Sequence, residues 1–358
     1  MPKQIIKIFI LFIILFSLTG CNTSYKSLND IGIVSSLIID KKDDKYKVNI
    51  EIYKETKESS KKEAYFVSGI GKYLKDALDN ASLLVGKNLY FTHINAIIVS
   101  KDVIDGNMEI IFNYLSKRID LNSNYYILVT DDPDKLLKTK DKDNPILGEK
   151  IKDLTSFSTN NGAILKYDFL EKLYNYVNPK VDVVLNTVST KNDNIKVNEA
   201  YYFSDEDIAG KLNQEEVKLV NLFNNNNNIV LDFEIDNKYY ILKIDESNIK
   251  INTKDNININ LNINANLDNV DEDYDLTKNG TITKLNKHAS KSLEKKYKKL
   301  INKLRNNNSD ILRINNYIYK INGYQKFDYY KDKINVNVKV KISKKGLMQN
   351  TIGGYKNG

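Results

Sequence analysis

A chain of 358 residues can bury cores in two or three domains without covalent staples. Its single cysteine excludes an internal disulfide and a cysteine-built zinc site, and its two histidines leave little else for transition-metal binding. The formal net charge of +8 raises nucleic acid and anionic membrane surfaces as possible partners.

The first segment decides between those two. Lys3 and Lys7 precede the apolar run from Ile8 to Leu18, 11 residues broken only by Ser17. A bilayer-spanning helix needs ~20 apolar residues, whereas the core of a secretory signal runs ~7–15. Leu18-Thr19-Gly20-Cys21 then has the form of a bacterial lipobox. A thiolate is the side chain suited to attack a lipid donor and carry a diacylglyceryl thioether, and Gly20 leaves room for cleavage of the bond before it. Residues 1–20 are therefore read as a lipoprotein signal peptide, and Cys21 as the lipid attachment site and mature N-terminus. Loss of Lys3 and Lys7 takes the charge from +8 to +6. Two acyl chains anchor stably, while one alone binds with K of about 10⁴ M⁻¹. An extracytoplasmic chain without a recognised DNA or RNA motif is not expected to bind nucleic acid.

Residues 21–30 read as a polar tether. Ile31–Asp40 reads as a buried strand, Lys41–Lys45 as a charged turn and Tyr46–Lys54, with alternating apolar residues, as its partner strand. Tyr65, Val67 and Ile70 mark an extended piece. Tyr73, Leu74, Ala77, Leu78, Ala81, Leu84 and Val85 lie at helical spacing within residues 72–87. Leu89–Ser100 is predicted as one strand with His93 packed in its middle. Met108–Arg118 is predicted as a helix with Ile110, Ile111, Tyr114 and Leu115 inward. Tyr125–Thr130 reads as a strand, and Pro133 opens a short helix. Residues 139–162 read as a linker leading into short helical elements. Leu165–Val177 follows as a helix, then Val181–Val188 and Ile195–Phe203 as strands. This N-terminal α+β region, 31–204, allows a split near 140–160.

The C-terminal α+β domain is assigned to 205–358. Gln214–Phe223 is predicted helical, followed by strands over Ile229–Ile235, Tyr239–Ile244, Ile249–Asn252 and Ile257–Leu267. The last, ININLNINANL, alternates strictly, with apolar residues on one face and mostly Asn on the other. Thr283–Asn306 is a long helix whose stripe is Leu285, Ala289, Leu293, Tyr297, Leu300 and Leu304, with lysines around it. Asp310–Ile321 is a second helix and Ile334–Ile342 the closing strand. The fold class is α+β, with mostly antiparallel sheets.

No catalytic set emerges. His93 reads as structural, and His288 as solvated on the polar side of the long helix. Gly69-Ile70-Gly71 lacks the rest of a phosphate loop. Asp271-Glu272-Asp273 with Asp275 lacks the spacing and central glycine of a calcium loop. The chain is accordingly read as non-catalytic, without cofactor or metal.

Several segments, in order, resemble the Ger(x)C family, the C-subunit lipoproteins of spore germinant receptors. Leu28-Asn29-Asp30 before the first strand resembles the family's Leu-Asn element, and Leu89-Tyr90-Phe91-Thr92-His93 its Leu-Tyr-Phe-Ser-His strand. Ala200–Phe203 with Gly210-Lys211-Leu212-Asn213-Gln214-Glu215-Glu216 resembles the start of its C-terminal domain, and Ile342–Leu347 its closing strand and turn. Asn22-Thr23 stands where the family commonly has Trp-Asp, Ile38-Ile39-Asp40 where it has Gly-Ile-Asp, and Ile311-Leu312-Arg313 where it has Gly-Phe-Gly. The resemblance implies a subunit on the outer face of the spore inner membrane, working with integral-membrane A and B subunits in nutrient sensing, and a fold of three domains. The rival readings are a generic extracytoplasmic solute-binding lipoprotein and a structural envelope lipoprotein.

Overall fold

The computed structural model describes residues 30–344 except 55–61, 123, 140, 142–143, 160, 166–167, 179, 227, 271–279 and 323–326. The signal segment, Cys21, nearly all of the tether and the acidic loop 271–275 lie outside the described residues.

Strands β1 (Ile31–Lys42) and β2 (Lys45–Lys54) form a hairpin closed by Asp43 and Asp44. Both have positive φ, +50° and +58°, which suits the right-handed twist of a two-residue hairpin. Strand β3 (Glu63–Gly71) pairs antiparallel with β2, and helix α1 (Leu74–Leu83) folds back on it. A Cβ on Gly69 would stand 2.2 Å from Ala77 O, and one on Gly71 2.4 Å from Ala77 N. The Gly69-Ile70-Gly71 segment is thus a seat for a helix, not a phosphate loop.

The single strand expected over Leu89–Ser100 is two, β4 (Asn88–Tyr90) and β5 (Ala96–Ser100), which pair in parallel with successive stretches of β1. The chain turns between them, with Ile94 N donating to Phe91 O and Asn95 N to Ser35 O. His93 lies exposed on this turn, not packed within a strand.

Helices α2 (Lys101–Ile104) and α3 (Met108–Ser116) lead to β6 (Tyr126–Thr130). In α3 the inward stripe is Met108, Ile111, Phe112 and Leu115, while Ile110 is half exposed, because the register starts from Asn107 at the cap. Helix α4 (Pro133–Lys138), α5 (Leu147–Thr159) and α6 (Phe169–Val177) precede strands β7 (Val184–Lys191), β8 (Asn194–Ser204) and β9 (Asp207–Leu212). The short helical elements expected after the linker within residues 139–162 are one 13-residue helix, α5.

The sheet order is β3-β2-β1-β5-β6-β7-β8-β9, with β4 beside β1. Pairing is parallel through β1, β5, β6 and β7 and antiparallel outside them, so this sheet is mixed. Helical crossovers from β5 to β6 and from β6 to β7 allow parallel neighbours, while short hairpins impose antiparallel ones. Helices cover both faces. Ile97, Val99 and Leu185 pack with α1, α3 and α6; Ala96, Ile98 and Leu128 pack with α4 and α5. All five residues of β5 are consequently buried. The expected division at 204 falls at the β8–β9 turn, and pairing carries the sheet on to Leu212.

Helix α7 (Gln214–Phe223) opens the second half with a capping box: Glu216 N donates to Asn213 Oδ1 at 2.9 Å and Asn213 N to Glu216 Oε2 at 3.0 Å. Strands β10 (Val230–Ile235), β11 (Lys238–Asn252) and β12 (Ile257–Val270) form an antiparallel meander. The two strands expected at 239–244 and 249–252 are one, β11, with a bulge between Ile244 and Glu246. Helix α8 (Thr281–Asn306) then crosses the sheet, α9 (Ile314–Asn322) follows, and β13 (Ile334–Lys344) adds in parallel to β12. The alternation of β12 is realised: Ile257, Ile259, Leu261, Ile263 and Ala265 are buried. On the other face Asn335 and Asn337 donate to Asn258 and Asn260, at 2.9 and 3.1 Å. The α8 stripe, extended by Ile301, closes this second core.

Candidate functional site

The two halves meet where the chain leaves α8. Ser309 Oγ donates to Phe203 O at 2.7 Å, and Ser204 Oγ to Asn308 O at 2.8 Å. Asp310 N donates to Asp182 Oδ2 at 2.5 Å, which joins the approach to β7 with the approach to α9. The Asp310 carboxylate turns inward and accepts Ile314 N at 2.9 Å and Asn315 N at 2.7 Å, so it holds the first turn of α9. Arg313, at φ +61°, reaches Glu171 of α6 at 3.4 Å.

Beside this junction lies an acidic cleft of about 350 Å³, lined by Tyr176, Asn178, Asp182, Asp205 and Glu206 among others. It continues into a second hollow of about 280 Å³ bounded by Lys180, Asp310, Asn315 and Tyr330. Burial raises the pKa of Asp310 well above the carboxylate range despite its two backbone donors, and burial raises that of Asp182 as well. Burial and the neighbouring carboxyls push the Tyr330 phenol up. In α6, Lys172 is fully buried, its Nζ donating to Val184 O, and desolvation lowers it to about 7. The cleft offers acceptors and packing surfaces; the hydroxyl of Ser204, which lines its second hollow, is engaged with Asn308 O. Among the described residues no group of three or more His, Cys, Asp or Glu is placed to hold a metal ion.

A second buried carboxylate fixes the first half. Glu51, 1 % exposed in β2, accepts Leu147 N at 2.6 Å, Gly148 N at 2.9 Å and Ser36 Oγ at 2.7 Å. It thereby serves the N-terminus of α5, where orphan donors and the helix dipole favour an anion. Burial is the larger influence on its pKa and raises it. Gly148 must be glycine for this approach, since its Cβ would stand 2.3 Å from Ser35 O.

His288 is not a solvated surface residue: its Nδ1 lies 2.8 Å from the hydroxyl of buried Tyr240, and desolvation lowers its pKa. The lysines of α8 divide into two sets. Lys284, Lys296, Lys298 and Lys303 pair with Asp236, Glu215, Glu294 and Glu216. Lys287, Lys291, Lys295 and Lys299 form an exposed row four residues apart. Among the described residues no helix is long and apolar enough to cross a membrane.

Asp182, Asp310, Glu51 and Lys172 were not singled out from the sequence. A cap signal, Ser-Asp ahead of Ile-Leu-Arg-Ile, was present for Asp310; the others carry no local mark.

The described chain is thus two sheets tied by a hydrogen-bonded joint that lies beside an acidic cleft. Residues 24–190 match the family model described as spore germination protein N-terminal domain, and residues 198–346 match that described as spore germination B3/GerAC like, C-terminal. The chain belongs to the Ger(x)C family of spore germination proteins. The boundary between the two matches falls in the β7–β8 hairpin, so the first sheet draws strands from both. No curated protein and no solved structure matches the chain.

Proposed function

We propose that the protein is the lipid-anchored C subunit of a nutrient germinant receptor, held on the outer face of the spore inner membrane through Cys21 and working with integral-membrane A and B subunits. The family matches over both halves of the chain carry this reading. The role is non-catalytic: the subunit acts by assembly, and the joint around Asp182 and Asp310 keeps its two halves in fixed relation for that purpose. The lipobox and the single thiol support anchoring at Cys21.

Deletion of the gene in a strain lacking its other receptors should leave sporulation intact and abolish the response to nutrients, while a stimulus that bypasses receptors still acts. Co-purification from spore membranes should recover two polytopic partners. Equal loss of both responses, or recovery without polytopic partners, would count for the envelope or solute-binding readings instead.

A further inference from the structure

β1, β4, β5 and β6 run in one direction, so their amino ends face one side of the first sheet as a stepped rim, those of β5 and β6 lying five residues further along β1 than that of β4. Four segments lie along it: Asp30 before β1, the 84–87 turn before β4, the 91–95 turn before β5 and residues 117–122 before β6. Ile31 pairs with Asn88, which sets the entry of the chain beside the 84–87 turn. The Asn122 side chain donates to Thr92 O, and the Arg118 guanidinium lies 4.5 Å from the centroid of the Phe91 ring, so the last two segments are tied together.

This rim is apolar where it meets solvent. Among the described large apolar residues none is more exposed than Ile119, at 100 %, and Leu83, at 80 %; Leu84 is exposed to 71 %. Single exposed apolar residues are ordinary, but a group of the most exposed ones around one rim needs a partner. A groove of about 460 Å³ between α1 and α3 opens beside them, with Lys75, Lys117 and Arg118 among its lining residues. Asp79 and Asp120 also line it and pair with Lys75 and Arg118, so Lys117 leaves a small cationic excess beside the exposed apolar side chains, a make-up that suits a bilayer interface.

We propose that this rim is the face that the protein lays on an anionic phospholipid bilayer. The proposal rests on the reading of Cys21 as the lipid attachment site. Cys21 lies nine residues before Asp30, so a fully extended tether reaches at most about 32 Å from the anchor to this rim. No other part of the described chain is held so close to the anchor by covalent connection. The opposite rim, at the carboxyl ends of the parallel strands, carries the polar Lys191-Asn192-Asp193-Asn194 hairpin turn.

The test places an environment-sensitive fluorophore on Ile119→Cys, with Lys191→Cys on the opposite rim as control. It uses two forms of the mature chain, both beginning at residue 21: the acylated protein, whose Cys21 thiol is consumed, and the Cys21→Ala form made without residues 1–20, which has none. In both the engineered thiol is the only reactive one. On vesicles of phosphatidylglycerol and phosphatidylethanolamine, the label at 119 should shift to the blue and be quenched by nitroxide-bearing lipid, while the label at 191 should not. Leu83→Ser with Leu84→Ser, both at exposed positions, should weaken vesicle binding of the Cys21→Ala chain by at least about tenfold, and added salt should weaken it further. An unquenched label at 119 on acylated, vesicle-bound protein overturns the proposal and leaves the anchor standing. A quenched label on a chain whose mass shows no lipid at Cys21 removes the anchor and retains the rim. A label shielded in native membranes but not on protein-free vesicles overturns the proposal in favour of a protein partner.

Discussion

Replacing Glu51 with Ala removes one acceptor that three groups share. Leu147 N, Gly148 N and Ser36 Oγ lose a partner in a site that is 1 % exposed, where water cannot readily replace it. Each buried donor left without a partner costs about 1–3 kcal/mol, and loss of the anion at the α5 N-terminus adds about 0.3–1 kcal/mol. Relief of the carboxylate's own desolvation offsets part of this, which leaves a net loss of about 2–5 kcal/mol. That is a large fraction of an ordinary domain stability of about 5–15 kcal/mol. The chain has no Trp, so urea unfolding is best followed by circular dichroism, with amide exchange to locate the loss. The amides of α5 should lose protection while those of α8 keep theirs. Glu51→Gln, which retains one acceptor, should lose less than the Ala variant. Burial holds the folded pKa of Glu51 above its unfolded value. Its favourable contribution is thus fully present below the unfolded pKa and fades as pH rises through the folded one. The deficit of the Gln variant should therefore shrink as pH rises through that window. A loss under about 1 kcal/mol for Glu51→Ala would refute the view that this carboxylate holds α5 to the sheet.

Two further perturbations probe the joint. The folded pKa of Lys172, about 7, lies below its unfolded value, so the unfolded chain binds the extra proton. Stability should rise with pH above 7 at up to about 1.4 kcal/mol per unit from this group, and Lys172→Met should flatten that slope in denaturation at pH 7 to 9. Asp310→Ala strands the amides of Ile314 and Asn315 and should lower stability by about 2–4 kcal/mol. Exchange at the start of α9 should accelerate first, and a loss of protection confined to other elements would argue against the capping role.

What could be read from the sequence follows from locality. The β12 alternation and the α8 stripe each lie within one segment and face one core, so periodicity alone located them. The length and place of α5 escaped notice because Leu147, Ile151 and Leu154 are separated by Gly, Glu, Lys and Asp in a stretch that begins TKDKDNP. Misplacing α5 hid Glu51 in turn: in a half-buried strand its face of β2 would meet water, but here it meets a helix almost 100 residues later. The bond between Asp310 and Asp182 joins residues 128 apart, and no pattern within either segment records it. The break within Leu89–Ser100 was hidden because both strands are in line and pair with the same neighbour, β1, across a short turn that itself holds apolar Phe91 and Ile94. Lys172 sits in a helix correctly expected, yet its charge gave no sign that its side chain runs inward.

The parallel pairing of β13 with β12 sets an order on synthesis. The chain must be extended from Val270 to Ile334 before the second sheet gains its last strand. Until then β12 presents an open edge of alternating Asn and Ile without proline, a composition well suited to adding strands from other copies. Helix α8 is made in the interval and carries two acceptors for the latecomer: Ser290 Oγ takes Val340 N at 2.9 Å, and Asn286 Oδ1 takes Ile342 N at 3.0 Å. The helix thus acts as a template that selects the chain's own terminus over a foreign strand. A polypeptide released short of residue 334 keeps that template and the open edge but lacks the segment that satisfies both, so premature termination would yield a sticky product as well as an incomplete one.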